Sequence, residues 1–294
     1  MDALVIGEAL VDIVRDAKGS REHPGGSPAN VAFGLARLGV GTSLLTDLGD
    51  DERGGAVRRH LEGAGVRVLA TRPEHRTSTA EAVLDESGSA AYTFEIGWDP
   101  GLPHELPRAD VLHTGSIAAF LHPGDAVVLQ KMGEWRASAT VTFDPNIRPD
   151  LVGDHETALR RFEEAAALAH VVKLSDEDAS WLYPQLAPRA VLDRILELGP
   201  ELVALTAGGD GSLLATAEAS TETEAPHVTV ADTIGAGDSY MSALIARLAT
   251  RRPGSLTEEE LADLGRFAAA AAAITVSRAG ANPPTRDEVE AALA

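Results

Sequence analysis

The chain has 294 residues, of which 44% are hydrophobic, and this allows one large domain with a sizeable core. It contains no cysteine, which excludes disulfides, cysteine-ligated zinc and thiol catalysis. Its 45 acidic and 25 basic residues give a formal charge of −20, and such a surface disfavours nucleic acid and anionic membranes as partners.

The N-terminus begins Met-Asp-Ala-Leu-Val-Ile-Gly and lacks a basic segment followed by an apolar one, so no signal peptide is predicted. No stretch approaches the ~20 apolar residues that span a bilayer. We therefore expect a cytoplasmic protein.

Short aliphatic or β-branched runs alternate with segments of helical spacing along most of the chain. The predicted strands are Ala3–Ile6, Ser43–Leu45, Val66–Ala70, Val111–His113, Thr140–Phe143, His170–Leu174 and Leu202–Thr206. Between them, apolar residues recur at helical spacing, as at Val31, Leu35 and Leu38. This alternation predicts a mostly parallel sheet with helices on both faces, a three-layer αβα sandwich.

Two segments depart from this alternation, because Leu10–Val14 and Thr79–Glu95 are strand-like with few helical signals. The second contains Glu86-Ser-Gly-Ser89, a predicted hairpin turn. We expect these segments to form a small β appendage on the α/β body. Residues 217–225 are polar and predict a surface excursion between strands, and residues 251–254 predict a loop between helices.

Asp12 is a carboxylate among aliphatic residues in the segment Leu10-Val-Asp-Ile-Val14. Such an acid lies either at a solvent-facing edge or against the hydroxyl groups of a ligand. We favour the second interpretation.

The segment Pro24-Gly-Gly-Ser-Pro-Ala-Asn30 predicts a helix start. Ser27 suits the N-cap and Pro28 the first helical position, and the predicted helix ends near Leu38. Asn30 in the first turn can donate and accept hydrogen bonds, as a polyol requires, although it also suits a plain capped helix. Gly25 and Gly26 allow close backbone approach and hinge motion.

Three further loops follow predicted strands, where open α/β sheets bind ligands. Asp144-Pro-Asn-Ile-Arg148 either presents polar side chains to a ligand at this edge or forms a simple surface turn. Ser175-Asp-Glu-Asp178 is typical of a helix start, with Ser175 as the N-cap. Thr206-Ala-Gly-Gly-Asp-Gly211 is either a glycine loop for a ligand or a hairpin turn into Ser212–Ala215.

The segment Asp232-Thr-Ile-Gly-Ala-Gly-Asp238 follows a short β-prone run that ends at Thr229-Val230. It precedes a helical pattern at Met241, Leu244, Ile245 and Leu248. A glycine turn at a helix start directs N–H groups and the positive end of the helix dipole at an anion. Because the chain has only three lysines, we expect positive charge for an anion to come from arginine, amides, helix starts and metal ions.

Asp238 lies in the first turn of this predicted helix, beside the anion position. Phosphoryl transfer needs a base at such a point, but an acid there can also simply complement the dipole. The chain has neither Gly-x-Gly-x-x-Gly nor Gly-Lys-Ser/Thr, so dinucleotide and P-loop chemistry are not indicated.

Asp232-Thr-Ile-Gly-Ala-Gly-Asp238 resembles the C-terminal signature of the ribokinase-like (PfkB) carbohydrate kinases, and segments in the family order extend from Gly7 to Gly280. The resemblance implies phosphorylation of a sugar hydroxyl with ATP and Mg²⁺. Asp238 would be the catalytic base, and the amides of Gly235, Ala236 and Gly237 would form the anion hole.

The same resemblance assigns the sugar site. Gly25, Gly26 and Asn30 match the family's N-terminal Gly-Gly-x-x-x-Asn element. Gly7-Glu8-Ala-Leu-Val-Asp12 resembles the opening of fructokinases and 2-keto-3-deoxygluconate kinases, in which the aspartate holds sugar hydroxyls. Further ligands implied by the family pattern Asp-Pro-Asn-x-Arg are Asp144, Asn146 and Arg148, the last as a cation near the transferred phosphate or an acidic substrate group.

At the nucleotide end, the resemblance implies ATP binding by Thr206, Gly208, Gly211 and Asn282. It also implies that a monovalent cation such as K⁺ is held near Asp232, Ile234 and Gly280. The family's Asn-x-x-Glu motif, which organises Mg²⁺, is replaced here by Ser175 and Asp178. Asp178 is one methylene shorter than glutamate, so we expect it to act on Mg²⁺ through water.

We thus expect a single ribokinase-like domain over residues 1–294, with a lid formed by about residues 9–20 and 79–97 and a homodimer through the lid. The favoured reaction is phosphorylation of fructose at its 6-hydroxyl, with 2-keto-3-deoxygluconate and ribose as alternative substrates. A non-catalytic sugar-binding relative would be expected to lack Asp238 or the glycines beside it, and all are present.

Overall fold

The structure is a computed structural model that describes residues 1–16, 19–84, 90–248 and 253–294. Its strands are β1 Asp2–Ile6, β2 Leu10–Asp16, β3 Gly19–Gly25, β4 Gly41–Asp47, β5 Arg67–Thr71, β6 Thr79–Leu84, β7 Ala90–Glu95, β8 Val111–Gly115, β9 Thr140–Asp144, β10 Val171–Ser175, β11 Leu202–Thr206, β12 Ser212–Ala215 and β13 Ser220–Thr223. Its helices are α1 Ser27–Arg37, α2 Glu52–Gly63, α3 Gly124–Trp135, α4 Pro149–Val152, α5 His155–Leu168, α6 Asp176–Leu182, α7 Pro188–Leu198, α8 Ala236–Leu248, α9 Glu258–Val276 and α10 Arg286–Leu293. The predicted hairpin turn at 86–89 and the first half of the predicted loop at 251–254 lie outside the described residues.

The main sheet has the strand order β13-β12-β11-β10-β9-β8-β1-β4-β5. From β11 to β5 every neighbouring pair is parallel, and β12 and β13 add an antiparallel edge. The chain winds outwards from β1 to β4 and β5, and then returns to begin the other half at β8. This reversal between β1 and β8 is the place where open α/β sheets bind ligands, outside the carboxyl ends of the strands.

Helices cover both faces of the main sheet. One core lies beneath α1, α8 and α9 and includes Leu35, Leu244 and Phe267, which are at most 2% exposed. The other core lies beneath α3, α5 and α7 and includes Phe143 and Phe162, which are fully buried. The predicted three-layer αβα sandwich with a mostly parallel sheet is confirmed.

A second, smaller sheet has the order β3-β2-β6-β7. Two antiparallel pairs, β2–β3 and β6–β7, join through the parallel pair β2–β6. The sequence predicted this β appendage but not β3, whose residues 19–23 are exposed and polar and show no apolar alternation.

Three local predictions were wrong. The polar segment at 217–225 contains an edge strand, β13, which pairs with β12. No strand ends at Thr229-Val230, because residues 224–230 are irregular. Ser27 is not a capping residue, since α1 begins with it and no side chain caps the helix at Gly26.

Within the described ranges, no helix is both long enough and apolar enough to cross a membrane.

Candidate active site

The carboxyl ends of the central strands and the starts of α1 and α8 meet at one cleft. Asp238 lies in the first turn of α8, as predicted. The Ser27 hydroxyl donates to its Oδ1 at 2.6 Å, and the Asn30 amide donates to its Oδ2 at 2.9 Å. The start of α1 therefore orients the carboxylate of α8.

Burial raises the pKa of Asp238, while the hydrogen bonds from Ser27 and Asn30 and the charges of Lys173 and Arg148 lower it. The opposing effects leave the pKa above its ordinary value. A raised pKa makes a carboxylate a better proton acceptor, provided that it is ionised at the working pH.

The glycine turn before α8 leaves N–H groups available. Gly235 has a φ of 77° and packs so closely on the C-terminal loop that an added Cβ would lie 2.8 Å from the Cβ of Ala281. In the described part of the chain, the N–H groups of Gly235 and Gly237 have no main-chain acceptor, whereas the Ala236 N–H donates to the Thr233 carbonyl at 3.3 Å. Two of the three predicted donors are thus free to meet an anion.

Lys173 lies directly beside this turn, and the sequence analysis missed it. Its Nζ is 2.9 Å from the position that a Cβ on Gly237 would occupy. It also forms a buried ion pair with Asp144 at 2.9 Å. Burial lowers the pKa of Lys173, but the carboxylates of Asp144, Asp178 and Asp238 outweigh this effect and raise it, so the side chain is charged.

A signal for Lys173 was present in the sequence. It is the one charged residue of the aliphatic strand Val171-Val-Lys-Leu174. Strands in the middle of a parallel sheet are buried on both faces, and a buried lysine requires a charged partner. The positive charge beside the glycine turn therefore comes partly from lysine, contrary to our expectation.

The loop after β9 carries Arg148 towards the cleft. Asn146 has a φ of 36°, and its N–H donates to Oδ1 of Asp144 at 3.2 Å. Burial raises the pKa of Asp144 to about 6, although Lys173 lowers it. The charge of Arg148 acts on Asp12, Glu8 and Asp238 and lowers the pKa of each.

Asp12 and Gly25 lie together on the small sheet. A Cβ on Gly25 would be 2.0 Å from Oδ2 of Asp12, so only glycine leaves room for this carboxylate. Gly26, with a φ of 99°, places its backbone against the carbonyl of Glu8, where a Cβ would be 2.7 Å from the oxygen. Burial raises the pKa of Asp12 to about 6.

Glu8 is a second residue that the sequence analysis did not select. It follows β1 at the reversal point of the main sheet and is 3% exposed. Burial raises its pKa to about 8, although hydrogen bonds from its own N–H and from the Ser116 hydroxyl lower the pKa. Its Oε2 has no hydrogen-bond partner among the described residues. Glu8 is therefore protonated at neutral pH, and it places a carboxylic acid near Arg148 and Asp238.

The predicted nucleotide loop joins β11 to β12, so it is also the hairpin turn considered above. Thr206 ends β11, and Gly208 and Gly211 have φ values of 50° and 96°. A Cβ on Gly211 would lie 2.1 Å from the Thr223 carbonyl oxygen. Residues 208–210 are exposed, so the backbone of the loop is open to a ligand.

The residues predicted for a monovalent cation are also brought together. Asp232 accepts hydrogen bonds from the N–H groups of Ile234 at 3.0 Å and Gly280 at 2.9 Å. The Asn282 N–H donates to the Gly280 carbonyl at 2.8 Å. One carboxylate thus links the loop before α8 to the C-terminal loop.

Asp178, predicted to act on Mg²⁺ through water, is 5% exposed. Its Oδ1 accepts from the Ile147 N–H at 2.7 Å and its Oδ2 from the Ser175 N–H at 3.0 Å. Among the described residues, no group of three or more His, Asp and Glu side chains is placed to hold a metal. Magnesium is usually held by one or two carboxylates together with phosphate oxygens and water, so the role of Asp178 towards Mg²⁺ stays a prediction.

The chain is similar to known proteins over most of its length. The family model described as pfkB family carbohydrate kinase matches residues 2–288. A fructokinase of Salmonella typhimurium is 35% identical over 256 residues, which cover 83% of each chain.

Two solved structures extend the likeness to the whole fold. A fructokinase double mutant from Vibrio cholerae O395, in its fructose-, ADP- and potassium-bound form, has a TM-score of 0.87 at 26% identity and covers 99% of this chain and 98% of its own. A fructokinase with bound ATP from Xylella fastidiosa has a TM-score of 0.86 at 28% identity, with coverage of 98% and 97%.

Proposed function

Because the chain belongs to the pfkB family of carbohydrate kinases, we propose that it transfers the γ-phosphoryl group of ATP to the 6-hydroxyl of D-fructose. The observation that carries this proposal is the carboxylate of Asp238, held by Ser27 and Asn30 beside the free amides of Gly235 and Gly237. A base and an anion hole at one helix start are what phosphoryl transfer to an alcohol requires.

In the proposed reaction, the sugar lies against Asp12, Gly25 and Asn30. Asp238 takes the proton of the attacking hydroxyl as its oxygen bonds to the γ-phosphorus, and the bond to the bridging oxygen breaks to release ADP. The amides of Gly235 and Gly237 stabilise charge on the transferred group, and the cationic side chains of Lys173 and Arg148 add to this field. Mg²⁺, when bound with ATP, neutralises charge on the phosphate oxygens. Closure of the small sheet over the sugar would exclude water, which competes for the phosphoryl group.

The position of Arg76 favours fructose over 2-keto-3-deoxygluconate. A substrate carboxylate calls for an additional arginine, and Arg76 lines a groove together with Arg53 and Glu95. Glu95 is in register with Thr79 and Asp12 with Ala80, so Glu95 and Asp12 point to opposite faces of the small sheet. The groove at Arg76 is therefore on the side away from Asp12, whose carboxylate is within electrostatic reach of Arg148 and His23.

An ADP-release assay with fructose, ribose, 2-keto-3-deoxygluconate and adenosine tests the proposal. We expect the highest kcat/KM with fructose, and substitution of Na⁺ for K⁺ tests whether a monovalent cation contributes. A higher kcat/KM for another sugar would reassign the substrate. Fructose binding without ADP release would instead favour the non-catalytic sugar-binding alternative.

Asp238→Asn tests the base in the same assay. We expect turnover to fall by a factor of at least ~10², the scale of general-base catalysis, while fructose still binds in calorimetry. Asp193→Asn, which alters an exposed carboxylate paired with Arg189 on α7, is the matched control. Near-wild-type turnover of Asp238→Asn would rule out the assigned base.

Association of two chains through the small sheet is also proposed, as the resemblance implies. Sedimentation equilibrium of the purified protein would distinguish the mass of a dimer from that of a single 30.7 kDa chain.

A further inference from the structure

Asp178 joins the ends of two neighbouring strands. Its Oδ2 accepts from the N–H of Ser175, the last residue of β10, and its Oδ1 accepts from the N–H of Ile147 in the loop after β9. The 2.7 Å contact with Ile147 is among the shorter distances for a hydrogen bond to a charged acceptor. With the side chain 5% exposed, water competes little for either oxygen.

The loop after β9 needs such support because its backbone is strained. Asn146 has a φ of 36°, which an L-residue with a Cβ adopts only at a cost in energy. Two carboxylates accept hydrogen bonds from successive N–H groups here. Asp144 accepts from the N–H of Asn146, and Asp178 accepts from the N–H of Ile147. Ile147 itself is 6% exposed and anchors the loop in the core.

The loop determines where the guanidinium of Arg148 lies. The Arg148 Nη1 donates to the carbonyl of Ile147 at 3.0 Å and to that of Asn146 at 3.4 Å. A rotation of the 146–147 backbone would therefore carry the guanidinium with it. The position that it now holds is within electrostatic reach of Asp12 and Asp238.

We propose that Asp178 is a positioning residue for Arg148: its carboxylate holds the strained 146–147 backbone and so directs the arginine at the site of phosphoryl transfer. Aspartate suits this task because its short side chain stays close to the Ser175 cap while it reaches Ile147. This role differs from organising Mg²⁺ through water, because it acts through main-chain hydrogen bonds to Ser175 and Ile147. The inference rests on the proposed function, in which Arg148 faces the transferred phosphate.

Asp178→Asn tests the inference directly. The carboxamide has one acceptor oxygen, so its NH₂ group must face one of the two N–H donors and one link is lost. We expect kcat to fall at least tenfold, while the Mg²⁺ concentration for half-maximal rate changes less than twofold. Asp176→Asn is the matched control, because it neutralises an exposed aspartate in the first turn of the same helix and keeps the link from Asp178 to Ile147, and its kcat should stay within twofold of wild type.

A double-mutant cycle with Arg148→Ala separates a positioning role from an independent one. If Asp178 acts through Arg148, Asp178→Asn changes kcat less than twofold in the Arg148→Ala background. If its tenfold effect persists there, or if saturating Mg²⁺ restores the rate of Asp178→Asn, the inference is overturned.

Hydrogen exchange gives a readout that does not need activity. Pro145 and Pro149 carry no N–H, so a peptide over residues 144–150 reports few amides, and Ile147 is one of them. Exchange in this peptide should be faster in Asp178→Asn than in wild type or Asp176→Asn, and unchanged exchange would contradict the proposed link. If Asp178→Asn fails to fold by circular dichroism, Asp178→Glu, which displaces the oxygens by a methylene, is expected to show the same dependence on Arg148.

The two proposals fail differently. Wild-type protein that releases ADP with none of the sugars overturns the proposed function, and hydrogen exchange then decides whether Asp178 holds the loop. An active wild type with unchanged Asp178→Asn kinetics overturns the positioning role alone.

Discussion

The cleft concentrates carboxyl groups that burial makes harder to ionise. Burial raises the pKa of four of them, Glu8, Asp12, Asp144 and Asp238. Two cationic side chains, Lys173 and Arg148, lie among these acids and partly reverse the effect. A phosphorylated nucleotide that enters the cleft therefore meets less negative charge than the number of acidic residues suggests.

Glu8→Gln should change how stability depends on pH. The folded state holds the Glu8 proton up to about pH 8, whereas the ordinary pKa is 4.5, so the wild type loses stability as pH rises between these values. Glutamine cannot ionise and avoids this loss. We expect the stability of Glu8→Gln relative to wild type to improve between pH 5 and pH 8 by on the order of a few kcal/mol.

Urea unfolding at several pH values measures this effect. Glu259→Gln, which alters an exposed glutamate at the start of α9, controls for the loss of one acidic residue. Parallel pH profiles for wild type and Glu8→Gln would show that Glu8 is ionised in the folded protein.

Lys173→Met should lower kcat by about tenfold to a hundredfold, because it removes a positive charge beside the glycine turn that precedes α8. The variant also leaves Asp144 as a buried acid without its partner, which should destabilise the fold by roughly 3–5 kcal/mol. The double variant Lys173→Met/Asp144→Asn separates these effects, since it should recover stability but not kcat. Steady-state kinetics and thermal unfolding provide the two measurements.

Lys131→Met is the control for Lys173→Met, because the partly buried Lys131 pairs with the exposed Glu134 on α3. Recovery of kcat together with stability in the double variant would mean that Lys173 serves only the fold.

At the scale of the helices and strands, the sequence predicted those elements whose pattern is local. All seven predicted strands of the parallel sheet are present, and α1 and α8 begin within one or two residues of the predicted starts. Elements whose formation depends on distant partners were missed. Both β3 and β13 are polar edge strands that form because β2 and β12 offer them hydrogen bonds.

The residues of the candidate site likewise separate into those with a local sequence pattern and those that depend on distant partners. Asp238 and the glycine turn could be proposed from the sequence because they lie within seven consecutive residues. The ion pair of Lys173 with Asp144 and the contact of Asp178 with Ile147 join residues 29 and 31 positions apart. Neither pairing has a local pattern, since each depends on the alignment of neighbouring strands.

Two glycines of α2 should respond to alanine in opposite directions. A Cβ on Gly63 would meet no atom within 4 Å, so Gly63→Ala should stabilise the protein by about 0.5–1 kcal/mol through helix propensity. A Cβ on Gly54 would lie 2.0 Å from the carbonyl oxygen of Gly49, so Gly54→Ala should destabilise it by about 1–3 kcal/mol. Urea unfolding measures both, and shifts in the same direction would contradict this account of α2.

At the scale of the whole molecule, the charge of −20 opposes compaction. Salt screens this repulsion, because the Debye length falls from about 30 Å at 0.01 M to about 10 Å at 0.1 M. We therefore expect Tm to rise over this range of NaCl concentration. A Tm that falls with added NaCl would show that favourable ion pairs, rather than the net charge, dominate the electrostatic free energy.

The same titration with KCl tests the predicted cation site near Asp232 and Gly280. Binding of K⁺ to the folded state adds a stabilisation that depends on its concentration, beyond the effect of screening. Equal Tm values in NaCl and KCl at matched ionic strength would leave screening as the whole effect.

The small sheet is assembled from two parts of the chain that are far apart in sequence, β2–β3 and β6–β7, and among the described strands they pair along the β2–β6 ladder. A graft of this sheet from a relative would therefore require both segments to be transplanted together. A chimera that carries only one of them would pair a β2 strand from one protein with a β6 strand from the other. Poor packing between these strands would then disturb the pairing of Asp12 with Ala80. Among chimeras of two relatives, those with a crossover between β3 and β6 should therefore be functional less often than those with a crossover elsewhere.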